Sequence, residues 1–266
     1  MVSEISALFK EIRTKRTLVH HITNYVTVND CANVVLAIGA NPVMADDPVE
    51  VEDMVSICDA LVINIGTLNE RTVSSMIKAG KRANEKNIPV ILDPVGVGAT
   101  PFRFQTAETL LKEVRFSVIR GNMAEIKVIA GLQAKRAGVD SLEEEENGIS
   151  IARNLAQKLG CVIAITGKVD VVSDGNVCYN IANGHAALTR LTGTGCMSSS
   201  LIGCFLGSSH HSLHSAIAGI VCMGIAGEMA SQSGGLGSFK VALMDSIALM
   251  DDAKVFESAL IEEVNQ

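Results

Sequence analysis

The segment Leu191-Thr192-Gly193-Thr194-Gly195-Cys196 sets glycines at alternate positions and opens directly into a helical pattern over 197–207. Glycines permit the tight backbone that lets successive amides point at one spot, and a helix start adds the positive end of its dipole. The predicted result is an anion hole built by Gly193, Thr194, Gly195 and Cys196, able to stabilise the spread-out charge of a transferring phosphoryl group. Cys196 falls in the first turn of that helix, where a thiol is expected to ionise more readily and to act as proton acceptor or nucleophile. A small residue packed into a tight loop is the other reading of the same position. Two other phosphate loops are excluded. There is no G-x-x-x-x-G-K-[ST], and neither Gly193-Thr194-Gly195 nor Gly96-Val97-Gly98 completes G-x-G-x-x-G, because Ser198 and Pro101 stand at the third glycine position.

More chemistry-bearing residues follow short β-branched runs. The run 61–63 leads to Asn64-Ile65-Gly66-Thr67, and 90–92 to Asp93-Pro94-Val95-Gly96-Val97-Gly98. Likewise 117–119 leads to Arg120-Gly121-Asn122, with Glu125 a turn later, and 162–165 to Thr166-Gly167. Open α/β sheets bind ligands beyond the carboxyl ends of their strands, so these residues converge on one edge. Asp93, Asn122 and Glu125 are hard oxygen donors that could hold Mg²⁺ directly or through water. Arg120 offers a fixed positive fork for phosphate oxygens. Asp93 could instead cap a turn before Pro94, and Glu125 could be an ordinary first-turn helix carboxylate. His210-His211-x-x-His214 lacks the glutamate of H-E-x-x-H and sits among serines, so it reads as a solvated loop and helix start. His185 reads as a turn residue, and Glu143–Glu146 as a solvated run beside a helix start.

The elements that must position these groups alternate. Residues 3–16 carry apolar positions at helical spacing, and Thr17–His20 starts an extended segment. A helical stripe over 29–38 stops at Gly39, and Asn41–Met44 is expected to be a loop. Strands then alternate with helices as far as residue 165, which predicts a parallel sheet covered on both faces. Residues 169–174 and 177–181 flank a Gly175-Asn176 turn and predict a hairpin of antiparallel edge strands. Long helices rich in Gly, Ala and Ser follow Gly195. With 266 residues, 48% hydrophobic and 19% charged, one domain with a large core is expected. The longest apolar stretch, 216–227, is too short to cross a bilayer and reads as a buried helix. No signal-peptide pattern opens the chain, which predicts a cytoplasmic protein. Seven cysteines without a C-x-x-C pair argue against disulfides or a four-Cys zinc site, and a net charge of −7 without Trp argues against nucleic acid.

Eight segments in order resemble the hydroxyethylthiazole kinases of the ribokinase-like superfamily, over nearly the whole chain. They are His20-His21-Ile22-Thr23-Asn24, Gly39–Ala45, Asn64–Leu68, Asp93–Thr100, Arg120-Gly121-Asn122-x-x-Glu125, Ile165-Thr166-Gly167, Thr192–Cys196 and Gly237-Ser238-Phe239. The resemblance implies a three-layer α/β/α sandwich, mostly parallel with antiparallel edge strands. It further implies phosphorylation of 4-methyl-5-(2-hydroxyethyl)thiazole by Mg-ATP in thiamine salvage. On it, Met44, Gly193 and Asn24 lie at the thiazole, Arg120, Thr166 and Asn122 at ATP, and Asp93 and Glu125 at Mg²⁺. Cys196 stands where related sugar kinases place an aspartate base, and a homotrimer with active sites between subunits is implied. Asn41 before Pro42, Leu236 before Gly237 and the run Ser198–Ser200 depart from the usual pattern. A related kinase for a pyrimidine or sugar alcohol would differ only in pocket-lining residues. A non-catalytic binding module would have little reason to keep Asp93, Arg120, Glu125 and Cys196 together.

Overall fold

The computed structural model describes residues 1–131 and 141–264, with backbone alone for 141–147. Among the described residues, nine strands form one sheet in the order β2-β1-β3-β4-β5-β6-β7-β8-β9. These are β1 (Leu18–Ile22), β2 (Asn41–Val43), β3 (Ala60–Asn64), β4 (Val90–Asp93), β5 (Val118–Asn122) and β6 (Val162–Thr166), then β7 (Asp170–Ser173), β8 (Cys178–Ile181) and β9 (Ile261–Glu263). The first six are parallel and the last three join antiparallel.

Helices cover both faces. On one lie α1 (Val2–Lys15), α2 (Val28–Ile38), α8 (Thr194–Ser209), α9 (Ser212–Ala230), α10 (Leu236–Leu249) and α11 (Asp252–Ser258). On the other lie α3 (Val51–Val55), α4 (Glu70–Glu85), α5 (Pro101–Glu113), α6 (Met123–Ile129) and α7 (Ser141–Leu159). The two-residue period of a strand divides its side chains between these layers. Along β3, Ala60 and Val62 join the first core, whereas Leu61 and Ile63 join the second. Burial on both faces is why the central strands read as unbroken apolar runs. The expected α/β/α sandwich with an antiparallel edge is what forms.

Small residues bring α8 and α9 unusually close to the sheet and to each other. A Cβ on Gly203 of α8 would lie 2.8 Å from Val62 Cγ2, and one on Gly219 of α9 would lie 2.7 Å from the backbone nitrogen of Ile202. The Gly, Ala and Ser content after residue 195 is thus a packing requirement. It lets α8 lie flat across β1, β3 and β4 with its N-terminus at the strand ends.

One expectation changes, one strand appears that no pattern announced, and the buried-helix reading holds in a longer element. Asn41–Val43 is not a loop but the edge strand β2, parallel to β1, where Pro42 is tolerated because an edge leaves one side unpaired. Ile261–Glu263, with a single apolar residue, returns as β9 against β8. The apolar stretch around 216–227 belongs to a 19-residue helix, the one described helix long and apolar enough to cross a membrane, and most of it is buried within this fold. The side chains of Glu143–Glu146 lie outside the described residues.

Gly219→Ala should lower unfolding free energy by about 1–3 kcal/mol, because the backbone of Ile202 cannot yield to a new methyl group. Urea unfolding with an unchanged m-value checks this.

Candidate active site

The carboxyl ends of the parallel strands set the candidate residues in a row that follows strand order rather than sequence order. Met44 follows β2, Asn24 follows β1, Asn64 ends β3, Asp93 ends β4, Arg120 and Asn122 lie in β5, and Thr166 ends β6. Strands sit about 4.8 Å apart, so Met44 and Asp93 are separated by about three spacings, and Thr166 lies about two beyond Asp93.

The middle of the row is a continuous hydrogen-bonded network. Asn64 Nδ2 donates to Asp93 Oδ2 at 3.0 Å and to Cys196 Sγ at 3.3 Å. Asn24 Nδ2 donates to Asn64 Oδ1 at 3.1 Å and to Cys196 Sγ at 3.3 Å. Asn24 Oδ1 accepts from the amide and the hydroxyl of Thr27, which holds the side chain's orientation. Ser199 Oγ donates to Asp93 Oδ2 at 2.8 Å, and Arg120 Nη1 lies 3.9 Å from that same oxygen. Asp93 is fully buried, and its other oxygen, Oδ1, has no protein partner. None of these contacts caps a turn before Pro94. Glu125, by contrast, takes the first-turn helix role that its sequence position allows. Its Oε2 and the Asn122 side chain close a capping box at the start of α6, while its Oε1 accepts the Gly96 amide at 2.8 Å.

The start of α8 closes over this network. Gly193 has φ +93°, which disfavours a side chain, and a Cβ there would meet Thr27 Cγ2 at 2.7 Å. A Cβ on Gly195 would lie 2.6 Å from Arg120 Nη1. Glycine at 193 lets the helix start settle onto Thr27, and glycine at 195 lets it settle onto the guanidinium. The first intrahelical bond runs from the Met197 amide to Gly193 O at 2.8 Å, so the amides of Thr194, Gly195 and Cys196 precede it. Arg120 Nη2 also donates to Thr166 Oγ1. Beside it opens a cavity of about 640 Å³, lined among others by Arg120, Thr166, Lys168, Asp170, Thr194 and Gly195. Thr194 and Gly195 of the expected anion hole therefore share this cavity with Arg120 and Thr166 of the expected nucleotide residues, whereas the Asn122 side chain caps α6 and does not line it. Met44, half-buried, stands at the far end of the row.

Burial governs the ionisation of these groups. Desolvation raises the Asp93 carboxyl to about 6, with Glu125 adding to the rise and Arg120, Ser199 and Asn64 opposing it. The Cys196 thiol, expected to ionise readily at a helix start, is instead raised, first by burial and then by the charge of Asp93. Hydrogen bonds from Thr27, Asn24 and Asn64 oppose the rise without overcoming it. The helix-start rule fails here because the same fold that supplies the dipole removes water and sets a carboxylate alongside. His210 ends α8, and His211 caps α9 by accepting the His214 amide, with the two imidazole rings stacked at 3.7 Å.

Sequence reasoning passed over three groups. Asn64 follows a strand and opens the segment Asn64–Leu68, and it joins Asn24, Asp93 and Cys196. Ser199 lies one turn beyond Cys196, a spacing that places both on one helix face, and this accounts for part of the unusual serine run. Asp170 lies in the cavity beside Arg120, accepts the Gly167 amide at 2.8 Å, and is raised to about 7 by burial.

A model of the hydroxyethylthiazole kinase family matches residues 9–252. The chain is 57% identical to a hydroxyethylthiazole kinase of Alkaliphilus oremlandii over 98% of both chains. It is 52% identical to that of Methanocella arvoryzae over 91% of this chain and 92% of the relative. The solved structure of a hydroxyethylthiazole kinase protein from Pyrococcus horikoshii OT3 matches with a TM-score of 0.91 at 39% identity, covering 98% of this chain and 99% of that one. A Staphylococcus aureus pyridoxal kinase shares the fold, with a TM-score of 0.67 at 14% identity over 94% of this chain and 98% of its own.

Because the folded state holds the Asp93 proton more tightly than the unfolded chain, that stabilisation is complete below pH 4 and is lost as pH rises through about 6. At neutral pH the ionised carboxylate then costs on the order of 3 kcal/mol. Asp93→Asn keeps an acceptor for Asn64 and Ser199 and removes the buried charge. Its thermal midpoint should exceed that of the parent by several degrees at pH 8, with the gain shrinking toward zero at pH 4, as read by melts across that range.

Proposed function

The chain belongs to the hydroxyethylthiazole kinase family, and on that premise we propose that it transfers the γ-phosphoryl of ATP to the hydroxyl of 4-methyl-5-(2-hydroxyethyl)thiazole, in thiamine biosynthesis or salvage. The observation that carries this reading is the glycine-built start of α8, which sets three amides against Arg120 on one side and Cys196 on the other. Such an arrangement suits a transferring phosphoryl group, whose charge is spread over three oxygens and needs positioned donors more than covalent help.

In this reading the triphosphate lies in the cavity lined by Arg120 and Thr166 and extends toward Asn122 at the end of β5. The thiazole occupies the other side of the helix start, near Asn24, Met44 and Gly193. The substrate hydroxyl oxygen bonds to the γ-phosphorus as the bond to the β-phosphate oxygen breaks, so ADP departs and the hydroxyl proton is released. Cys196, held by two amide donors, orients the hydroxyl. Its raised pKa leaves little thiolate at neutral pH, so it acts as a contact for the proton rather than a strong base, which a loose transition state tolerates.

Asp93 fits a divalent cation, because Oδ1 is buried and free of protein partners while Oδ2 is fixed by Asn64 and Ser199. Both oxygens of Glu125 already accept an amide, so it would assist through remaining lone pairs or a bound water. Mg²⁺, when bound with ATP, neutralises charge on the phosphates.

A homotrimer with active sites between subunits is supported by exposed apolar side chains close in sequence to the thiazole residues. Tyr25 and Val26 follow Asn24 at 79% and 58% exposure, and Val49 lies beyond Met44 at 89%. All seven cysteines are free thiols, which suits a reducing compartment and the cytoplasmic placement.

Coupled ADP release should favour the thiazole alcohol over hydroxymethylpyrimidine and ribose by at least about 100-fold in kcat/KM. A preference for either of the others would reassign the substrate, and release with none would reject the kinase. Cys196→Ala should lower kcat about tenfold. Cys196→Asp should stay active, since the Asn24 and Asn64 amides already point at that position, and loss of activity in a folded Asp variant would count against the assignment. Light scattering after gel filtration should give three times the chain mass.

A further inference from the structure

Arg103 has no part in the scheme above, yet its side chain reaches into the loops that carry it. It is the third residue of α5, its amide donates to the N-cap Thr100, and the first turn holds no acidic residue. Helix dipoles disfavour a cation at this end, so the helix itself gives no reason for an arginine here. Its hydrogen bonds do. Nη1 donates to Val95 O at 2.7 Å, and Nη2 donates to Gly66 O at 2.6 Å.

Those carbonyls lie in separate loops, one after β3 and one after β4. The backbone between them is shaped around the guanidinium. Gly96 has φ +63°, and a Cβ on it would lie 2.7 Å from Arg103 Nη1. From its other side, Gly96 donates its amide to Glu125 Oε1 at 2.8 Å. Gly66 donates its own amide to Asn64 Oδ1 at 2.9 Å, and a Cβ on it would lie 2.9 Å from both Asn24 Cβ and Asn64 Oδ1. The next bonds outward run from Asn64 Nδ2 to Asp93 and to Cys196. A short chain of bonds therefore leads from Arg103 through Gly66 and Asn64 to the two groups placed at the reacting centre.

We propose that Arg103 is a positioning residue for phosphoryl transfer. Its fork ties the loop after β3 to the loop after β4, and so fixes the Asn64 amide between Asp93 and Cys196. The proposal rests on the kinase reading given above. Arginine is required because a planar guanidinium serves two carbonyls in fixed directions, whereas a lysine ammonium behaves as a single point charge on a flexible stem. Small displacements at a transfer site cost far more in turnover than in binding, so the consequence falls on kcat.

The experiment uses the full chain with ATP, Mg²⁺ and the thiazole alcohol, comparing the parent with Arg103→Met and Arg103→Lys by ADP release and by thermal melts. Turnover by the parent tests the kinase reading on its own, and absence of turnover there overturns that reading and this proposal together. With an active parent, Arg103→Met should fold, lose about 100-fold in kcat and keep its KM for ATP within about threefold, with Arg103→Lys recovering part of the loss. In an Asn64→Ala background, where the chain of bonds is already cut, adding Arg103→Met should lower kcat less than about threefold. A folded Arg103→Met with kcat within about threefold of the parent overturns the proposal, as does a full 100-fold loss in the Asn64→Ala background. If Arg103→Met does not fold, Arg103→Lys decides by the same criteria, with parental kcat overturning the proposal.

Discussion

A carboxylate with no exposure to water sits at the centre of this molecule, and its neighbours are arranged to make that tolerable. Asp93 keeps one oxygen under two donors, Asn64 and Ser199, with a guanidinium 3.9 Å away, and leaves the other oxygen free of protein partners. Burying a charge is costly unless it is paired and hydrogen-bonded, and here the pairing is partial, so the carboxyl titrates near 6 rather than near 4. That incompleteness suits a site that receives a charged ligand. In the proposed function the missing compensation would come with a cation and the phosphates rather than with the fold.

Everything around Asp93 must then be held still by other means, and backbone geometry does much of this. Glycines at 203 and 219 let two apolar helices lie against the sheet and each other at distances that side chains would forbid. The start of α8 consequently falls on the strand ends, where Gly195 permits contact with Arg120. The same device recurs at Gly96 and Gly66, where the absence of a Cβ makes room for Arg103 and for the asparagine pair. The site owes as much to residues without side chains as to those with them.

The two asparagines tie the strand ends to the start of α8. Each amide donates twice and accepts as well, so Asn24 and Asn64 link strand ends β1, β3 and β4 to the α8 thiol in one network. An acid or a base in either place would add charge to a buried row that already carries Asp93. Neutral, bidirectional groups allow the network to close without a further desolvation cost.

Much of the fold was legible because it rests on local chemistry. Short β-branched runs gave the strands, the Gly175-Asn176 turn gave the hairpin, and the glycines of Gly193–Cys196 gave the start of α8. Strand ends in an α/β sheet gave Asp93, Arg120, Asn122 and Thr166. The short strands β2 and β9 were not legible, since three residues carry too little pattern and only their partners define them. The sequence alone also determined the family, through motifs whose order along the chain is itself informative. Tertiary structure decided what each group feels. The ionisation of Cys196, the division of labour between the two Asp93 oxygens, the joining of Ser199 and Asn64 to the site, and the reach of Arg103 all depend on desolvation and on contacts between segments far apart in the chain. Neither is a property of neighbouring residues, because both arise only when the helices and the sheet exclude water together.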